Sequence, residues 1–153
     1  MSRRDQIHMT DDEMVAYLAE QKTITLVSNG VEGFPHPMPM WFGVEDDGAI
    51  VMSTFTKSQK IKNLARDPRV SLLVEDGTEY NQLRGAVLYG KAELISDTAE
   101  VIAILVLINA SGPDVDADVV RNAVRATAPK RTGIRIRPDR IVSWDHGKLG
   151  GVY

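Results

Sequence analysis

A short segment of the sequence gathers side chains that suit the binding of an anion. Residues 53–68, STFTKSQKIKNLARDP, contain Lys57, Lys60, Lys62 and Arg66 and no acidic residue before position 67. Serine and threonine precede these cations, and a helix that begins among them would add free backbone N–H groups, which favour phosphate. Because the whole chain has a net charge of −3, the segment predicts a local anion site and no general affinity for polyanions.

The same residues also fit a purely structural role. Serine and threonine side chains commonly cap the first turn of a helix. A run of lysines usually forms the solvated face of such a helix. The residues of this segment leave both interpretations open.

A second candidate segment is HPMPMWF, residues 36–42, which follows Pro35 and carries further prolines at positions 37 and 39. Proline lacks the N–H group that a central strand needs, so this pattern predicts an edge strand that borders a groove. Methionine and tryptophan usually pack in a core, but on an edge strand they can also contact a flat ring. The side chains available for that contact are Met38, Met40 and Trp41.

No motif in the sequence identifies a nucleophile or a general base. The chain has no cysteine, and it contains no serine-hydrolase elbow, P-loop or Rossmann glycine motif. The three histidines, His8, His36 and His146, show no metal-ligand spacing, so we expect no metal site. If the protein is an enzyme, a bound cofactor is expected to carry the chemistry.

The elements that would position these segments are predicted to form one domain over residues 1–153. Thr10 and Glu13 form a capping-box pattern that begins a helix reaching about Gln21. Strands are predicted at 23–28, 36–44, 49–54, 69–76 and 83–95, and a short amphipathic helix at 57–66. Strands that follow one another through hairpins favour a mostly antiparallel sheet or barrel with attached helices.

The C-terminal third is predicted to contain two helices and a final pair of strands. Asp97 and Glu100 can cap a helix through VIAILVLINA, although its β-branched residues leave a buried strand open. A second helix is expected at 114–127. In RTGIRIRPDRIVSWD, isoleucines alternate with arginines, which predicts a pair of strands interrupted at Pro138. The tail from His146 is predicted to be a loop.

The apolar segments of the chain bear on the cellular location of the protein. The longest apolar run, residues 101–108, is too short to span a bilayer. The start of the sequence shows no apolar signal segment after its arginines. Together with the absence of cysteine, these features predict a cytoplasmic protein.

The features between residues 23 and 95 resemble the flavin-reductase-like split β-barrel family that includes pyridoxamine 5′-phosphate oxidase. The resemblance rests on TLVSNGVEGFPHPMPMWF, IVMSTFTKSQKIKNLARDPRVSLLVED and LRGAVLYGKAELI, with RIVSWD near the end. It looks closest to the actinobacterial branch whose members use the deazaflavin coenzyme F420 in place of FMN. The resemblance implies a mainly β fold with helices (α+β), an antiparallel split β-barrel. It also implies a homodimer with two cofactor sites at the subunit interface.

The resemblance also implies roles for individual residues. The segment that holds the cofactor phosphate corresponds to Ser53, Thr54, Lys57, Ser58 and Lys60, with Lys62 assisting. The strand along the cofactor ring corresponds to Pro37, Met38, Pro39, Met40 and Trp41. A late-strand position near the site, contributed across the dimer, corresponds to Trp144, and the variable tail contains Lys148 and Tyr153.

Two departures from the family pattern narrow the expected function. The arginine-rich strand and the C-terminal Arg/His motif of the oxidase are not reproduced, so oxidation of pyridoxamine phosphate is not expected. Position 58 is serine where some F420-binding relatives carry a second cation, so the affinity for phosphate is expected to depend more on Lys57 and Lys60. The resulting hypothesis is an F420H2-dependent reductase of an unsaturated small molecule. An FMN-dependent oxidoreductase and a non-catalytic cofactor- or ligand-binding protein remain as alternatives.

Overall fold

The structure, a computed structural model, describes residues 2–151 except for the side chain of Arg3, so Val152 and the predicted site residue Tyr153 lie outside it. Within this range the helices α1 to α5 span Arg3–Gln6, Asp11–Glu20, Gln59–Arg66, Thr98–Asn109 and Ala117–Val124. The strands β1 to β7 span Thr23–Asn29, Pro35–Trp41, Gly43–Val44, Ile50–Phe55, Arg69–Asp76, Arg84–Ile95 and Arg131–Asp145. Short 3₁₀ turns cover Tyr80–Gln82, Ala128–Lys130 and His146–Leu149.

All seven strands form one antiparallel sheet in the order β2-β1-β5-β6-β7-β4-β3. The sheet curls until β2, at one edge, contacts β4 near the other edge. The helices attach to this half-barrel. The predicted α+β fold, an antiparallel split β-barrel with helices, is therefore confirmed.

The core lies inside the curled sheet because alternate residues of each strand point inward. Leu26, Met52, Leu72 and Leu88 are buried there with residues of α2 and α3. A second cluster forms on the outer side of β4, where Val51 packs among the buried residues of α4. The two faces of β4 thus contribute to two different clusters.

Two predicted helix starts are confirmed by their hydrogen bonds. At α2 the Thr10 hydroxyl accepts from the Glu13 N–H at 3.3 Å, and the Glu13 carboxylate accepts from the Thr10 N–H at 2.7 Å. At α4 the Asp97 carboxylate accepts from the Glu100 N–H at 2.9 Å. The segment after Asp97 is therefore helical, and the alternative of a buried strand is wrong.

The strand predicted at 36–44 is in fact two strands, β2 and β3, separated at Phe42. This part of the prediction was wrong because the chain changes partner there. Strand β2 pairs with β1, whereas β3 pairs with β4 in the predicted hairpin. Phe42 is buried at the change of partner, and such a change is not visible in an alternating pattern.

The predicted interruption at Pro138 is also wrong, since β7 runs without a break through Arg131–Asp145. Pro138 lies opposite Gly90, and the register shifts between Tyr89 and Gly90, which indicates a bulge at this point of the sheet. A bulge leaves one residue outside the hydrogen-bond ladder, so it tolerates a residue without an N–H group.

Smaller differences concern the C-terminal part of the chain. Helix α5 is shorter than the predicted 114–127 and begins after Asp116, whose carboxylate accepts from the Asp118 N–H at 2.8 Å. The predicted loop after β7 begins with a 3₁₀ turn. None of the helices that the structure describes is long and apolar enough to cross a membrane.

Candidate functional site

The predicted phosphate segment lies where β4 ends and α3 begins. The Ser58 N–H donates to the Phe55 carbonyl at 2.9 Å, which turns the chain from the strand into the helix. Helix α3 then buries Ile61 and Leu64 in the core, as its apolar spacing predicted. The first turn of α3 contains no acidic residue, so its N–H groups are not offset by a nearby carboxylate.

Lys60 in this turn is a buried cation. Its side chain is only 8% exposed, and its Nζ donates to the Thr54 hydroxyl at 3.3 Å. Among residues 2–151 no carboxylate forms an ion pair with it. Burial lowers the pKa of the Lys60 ammonium, because a charge is costly in a poorly solvated place. A bound anion would offset this cost.

Ser58 occupies the N-cap position of α3, but its side chain does not cap the helix. Its Oγ is buried and has no hydrogen-bond partner among the described residues. Buried polar atoms are nearly always hydrogen bonded, so this hydroxyl is available to a ligand. The capping and solvated-face interpretation therefore does not describe Ser58 or Lys60. It still fits Lys57 and Lys62, which are exposed.

Ser53 and Thr54 point to opposite faces of β4. Thr54 lies on the inner face with Lys60, whereas Ser53 lies on the outer face that Val51 shares with α4. The Ser53 Oγ is buried without a partner in the described part of the chain. A ligand on the inner face would thus meet the side chain of Thr54 but only the backbone of Ser53.

The proline-containing segment forms the edge strand β2, as predicted. Pro37 and Pro39 are exposed and Met38 is half-buried. Met40 is 9% exposed and packs in the core, whereas Trp41 is 58% exposed on the opposite face of the strand. Met40 and Trp41 therefore do not face the same side.

The edge strand and the basic helix border one groove of about 210 Å³, lined by residues that include His36, Gln59 and Asn63. Asn63 is fully buried, donates to the Ser28 hydroxyl at 3.1 Å and accepts from Gln59 Nε2 at 2.9 Å. These bonds fix α3 against β1. The Nδ1 atom of His36 is buried and has no partner within the described residues. No local sequence pattern identifies Asn63, because its partner Ser28 is far away in the sequence.

Trp144 lies elsewhere, in a groove of about 770 Å³ on the outer face of β6 and β7. Its indole covers Gly85 so closely that a Cβ there would lie 2.3 Å from Trp144 Cζ2. No residue of 53–60 lines this groove. Within one chain the structure therefore does not bring Trp144 to the phosphate segment. Lys148 is engaged away from that segment too, since its Nζ donates to the His8 carbonyl and to Glu13.

Residues of the last strand join the site although no local sequence pattern identifies them. Strand β4 pairs with β7, so that Thr54 lies opposite Thr132. The hydroxyls of Thr56 and Thr132 are 2.9 Å apart and hydrogen bonded. Only this long-range pairing identifies Thr132 as a neighbour of the phosphate segment.

A family model described as pyridoxamine 5′-phosphate oxidase matches residues 10–145 of this chain. The chain belongs to this family. This match confirms the predicted resemblance. The pyridoxamine 5′-phosphate oxidase family includes oxidoreductases and binds flavins such as FMN. A comparison with curated proteins gave no match.

Several solved structures are similar to the chain over most of its length. The conserved hypothetical protein Rv2991 from Mycobacterium tuberculosis is 37% identical, with a TM-score of 0.91 over 100% of this chain and 95% of that one. An F420 reductase is 24% identical, with a TM-score of 0.62 over 82% and 93%. HutZ, the heme storage protein from Vibrio cholerae, is 14% identical, with a TM-score of 0.67 over 87% and 94%. The last two show a shared fold only.

Proposed function

We propose that the protein is an F420-dependent reductase that transfers a hydride from the reduced deazaflavin to an unsaturated or conjugated small molecule. The observation that carries the proposal is Lys60, a buried ammonium whose only described partner is a neutral hydroxyl. A buried cation is stable when an anion and further hydrogen bonds accompany it. The phosphate of a cofactor would supply both.

The residues around Lys60 suit a phosphate. Thr54 and Ser58 offer hydroxyls, and the first turn of α3 offers backbone N–H groups. Lys57, three residues before Lys60, is exposed and would attract an anion without being desolvated. The cofactor, when bound, supplies the hydride, and these residues hold its phosphate.

The exposed edge of β2 supports the proposed position of the ring. Pro37 and Pro39 keep that edge free of ladder hydrogen bonds because they have no N–H to donate. Met38 and Trp41 offer apolar surface on the two faces of the strand. Lys22 Nζ lies 4.7 Å from the centre of the Trp41 ring and donates to the Ile108 carbonyl at 2.9 Å, which fixes the indole. These residues would orient the ring and exclude water from one of its faces.

We further propose that the protein works as a homodimer. The outer faces of the central strands present half-exposed apolar residues, namely Val27, Leu73, Val87, Val142 and Trp144. Apolar surface of this extent on a central sheet favours a protein partner. A second copy on this face would give Trp144 a route to the site of its partner, which the geometry of one chain does not provide.

FMN is the second candidate cofactor, because the family binds flavins such as FMN and one buried lysine is sufficient for one phosphate. The cytoplasmic location expected from the sequence stays a prediction. So does the non-catalytic alternative, in which the same groove stores a ligand. The FMN alternative and the storage alternative both use the anion site at Lys60.

The deciding experiment is a titration of the purified protein with F420 and with FMN, followed by turnover assays with enones and quinones. We expect micromolar or tighter binding of F420 and oxidation of F420H2 in the presence of an acceptor. Absence of F420 binding at micromolar concentration would overturn the proposal. A yellow preparation with flavin absorption would favour FMN, and binding without turnover would favour a storage protein.

A further inference from the structure

Two segments that are far apart in the sequence meet at the end of β4. In the pairing of β4 with β7, Phe55 lies opposite Arg131. One residue further, the Thr56 N–H donates to the Lys130 carbonyl at 3.0 Å. The start of the basic segment therefore lies beside the short sequence Lys130-Arg131.

These neighbouring segments carry positive charge and no negative charge. Residues 53–62 and 128–133 contain five basic residues and no aspartate or glutamate: Lys57, Lys60, Lys62, Lys130 and Arg131. None of the five forms an ion pair within residues 2–151. A cluster of cations without nearby carboxylates gives this end of the sheet a positive local potential, which attracts anions.

Arg131 is held in place without a charged partner. Its guanidinium carbon lies 4.5 Å from the centre of the Phe55 ring, and this ring is 52% exposed. The Nε atom of Arg131 is buried and lacks a hydrogen-bond partner in the described part of the chain. Stacking on an aromatic ring orients a guanidinium while its N–H groups stay available to a carboxylate or phosphate.

We propose that Arg131, together with Lys57 and Lys130, forms a second anion subsite at the same end of β4 as Lys60 but on the outer side of the strand, where Phe55 lies. The inference rests on the proposed function and deepens it. It requires a ligand with at least two separate anionic groups, a phosphate at Lys60 and a further carboxylate or phosphate at Arg131. F420, with carboxylates beyond its phosphate, meets this requirement, whereas FMN has one phosphate only.

The test compares dissociation constants of F420 and FMN for wild type, Arg131→Gln and Lys60→Met. Arg131→Gln should weaken F420 about 10-fold, as expected for one charge-assisted bond, and FMN less than about 2-fold. Lys60→Met should weaken both cofactors. The matched control is Arg137→Gln on the same strand, whose guanidinium pairs with Asp47 and Glu93 and which should change neither constant.

The outcomes separate this inference from the proposed function. If Arg131→Gln changes neither constant, or changes both equally while Lys60→Met weakens both, the second subsite is wrong and the phosphate site stands. If Lys60→Met has no effect, or wild type binds neither cofactor, the proposed function is wrong and the inference falls with it. Should Arg131→Gln fail to fold, Lys130→Gln is the replacement variant, because the backbone carbonyl that Thr56 uses is retained.

Discussion

Strand β7 and its neighbours contain two groups of cations that the fold treats in opposite ways. In the middle of the strand, Arg135 Nε lies 2.8 Å from a Glu45 carboxylate oxygen, and Arg137 pairs with Asp47 at 3.1 Å. At the start of the strand, Arg131 stacks on the uncharged ring of Phe55, and the Lys60 ammonium donates a hydrogen bond to the neutral hydroxyl of Thr54. The first group is ion-paired within residues 2–151, whereas no carboxylate of that range pairs with the second group.

One residue of each group, Arg135 and Lys60, has a shifted pKa, and the two shifts have opposite signs. The hydrogen bonds that Arg135 donates to the Glu45 carboxylate raise the pKa of its guanidinium, while burial lowers the pKa of the Lys60 ammonium. A raised pKa means that the fold favours the charged form, and a lowered pKa of a cation means that the fold disfavours it. Arg135 is thus a charge that stabilises the folded chain, whereas Lys60 is the charge that we propose is retained for a ligand.

The largest effect is expected when the unpaired group is given its own carboxylate. Ser58→Asp would place an acid at the N-cap of α3, beside Lys60. We expect cofactor affinity to fall by about 3 kcal/mol or more, because like charges in one site cost several kcal/mol. The unfolding free energy should rise by about 0.5–1 kcal/mol, since aspartate is a good N-cap near the positive helix end. Isothermal calorimetry and urea unfolding measure the two effects.

The control for this variant is Ser58→Ala, which removes the hydroxyl without adding charge. It should lower affinity by no more than about 1.5 kcal/mol, the contribution of one hydrogen bond. Equal losses in Ser58→Asp and Ser58→Ala would contradict the assignment of an anion to this position.

Removal of the buried cation should have the next largest effect. Lys60→Met keeps the length of the side chain and should weaken cofactor binding by about 1–3 kcal/mol. In the ligand-free protein the same change should be stabilising, because an unpaired buried charge is replaced by an apolar group. Binding titrations and thermal unfolding without ligand check the two signs. A destabilised ligand-free variant would show that Lys60 already has an adequate internal partner.

The stabilisation by Lys60→Met should also depend on pH. The folded-state pKa of Lys60 lies below its ordinary value of 10.5, so the cost of the buried charge is present in full below the folded-state pKa. As pH rises from there towards 10.5, the unfolded chain also loses its proton and the cost disappears. The difference in unfolding free energy between variant and wild type should therefore shrink in alkaline solution, and a difference that stays constant would contradict this account.

A change in the paired group should affect folding and leave binding intact. Arg135→Met would leave the carboxylate of Glu45, which is about a quarter exposed, without its cation. We expect the unfolding free energy to fall by about 1–2 kcal/mol, less than for a fully buried pair, and cofactor affinity to stay within about 2-fold. Urea unfolding and a cofactor titration measure both. A clear loss of affinity would remove the distinction between the two groups.

Local patterns in the sequence were sufficient to predict several of the helices and strands. The capping box at Thr10, the helix after Asp97 and the proline-marked edge strand all depend on residues close to one another in the chain. Pairing between distant strands was not predictable in this way. The opposite faces of Ser53 and Thr54 follow from alternation, but which face carries Lys60 depends on where α3 packs.

The same limit explains what was missed in the candidate site. Thr132 and Arg131 reach the phosphate segment only through the β4–β7 pairing, and Asn63 matters only because Ser28 faces it. The partner change at Phe42 and the bulge at Pro138 are likewise properties of the sheet. A sequence pattern shows which face of a strand is apolar, but it does not show which strand lies beside it.

The smallest effect is expected at Lys62, which belongs to the same basic run as Lys60 but is exposed. Lys62→Ala should change both the unfolding free energy and the free energy of cofactor binding by less than about 0.5 kcal/mol, because a solvated charge contributes little to either. It should lower the association rate and the salt dependence of binding only slightly. Stopped-flow binding at two ionic strengths provides the measurement. A loss comparable to that of Lys60→Met would mean that net charge, and not the burial of one lysine, accounts for the difference between the two groups of cations.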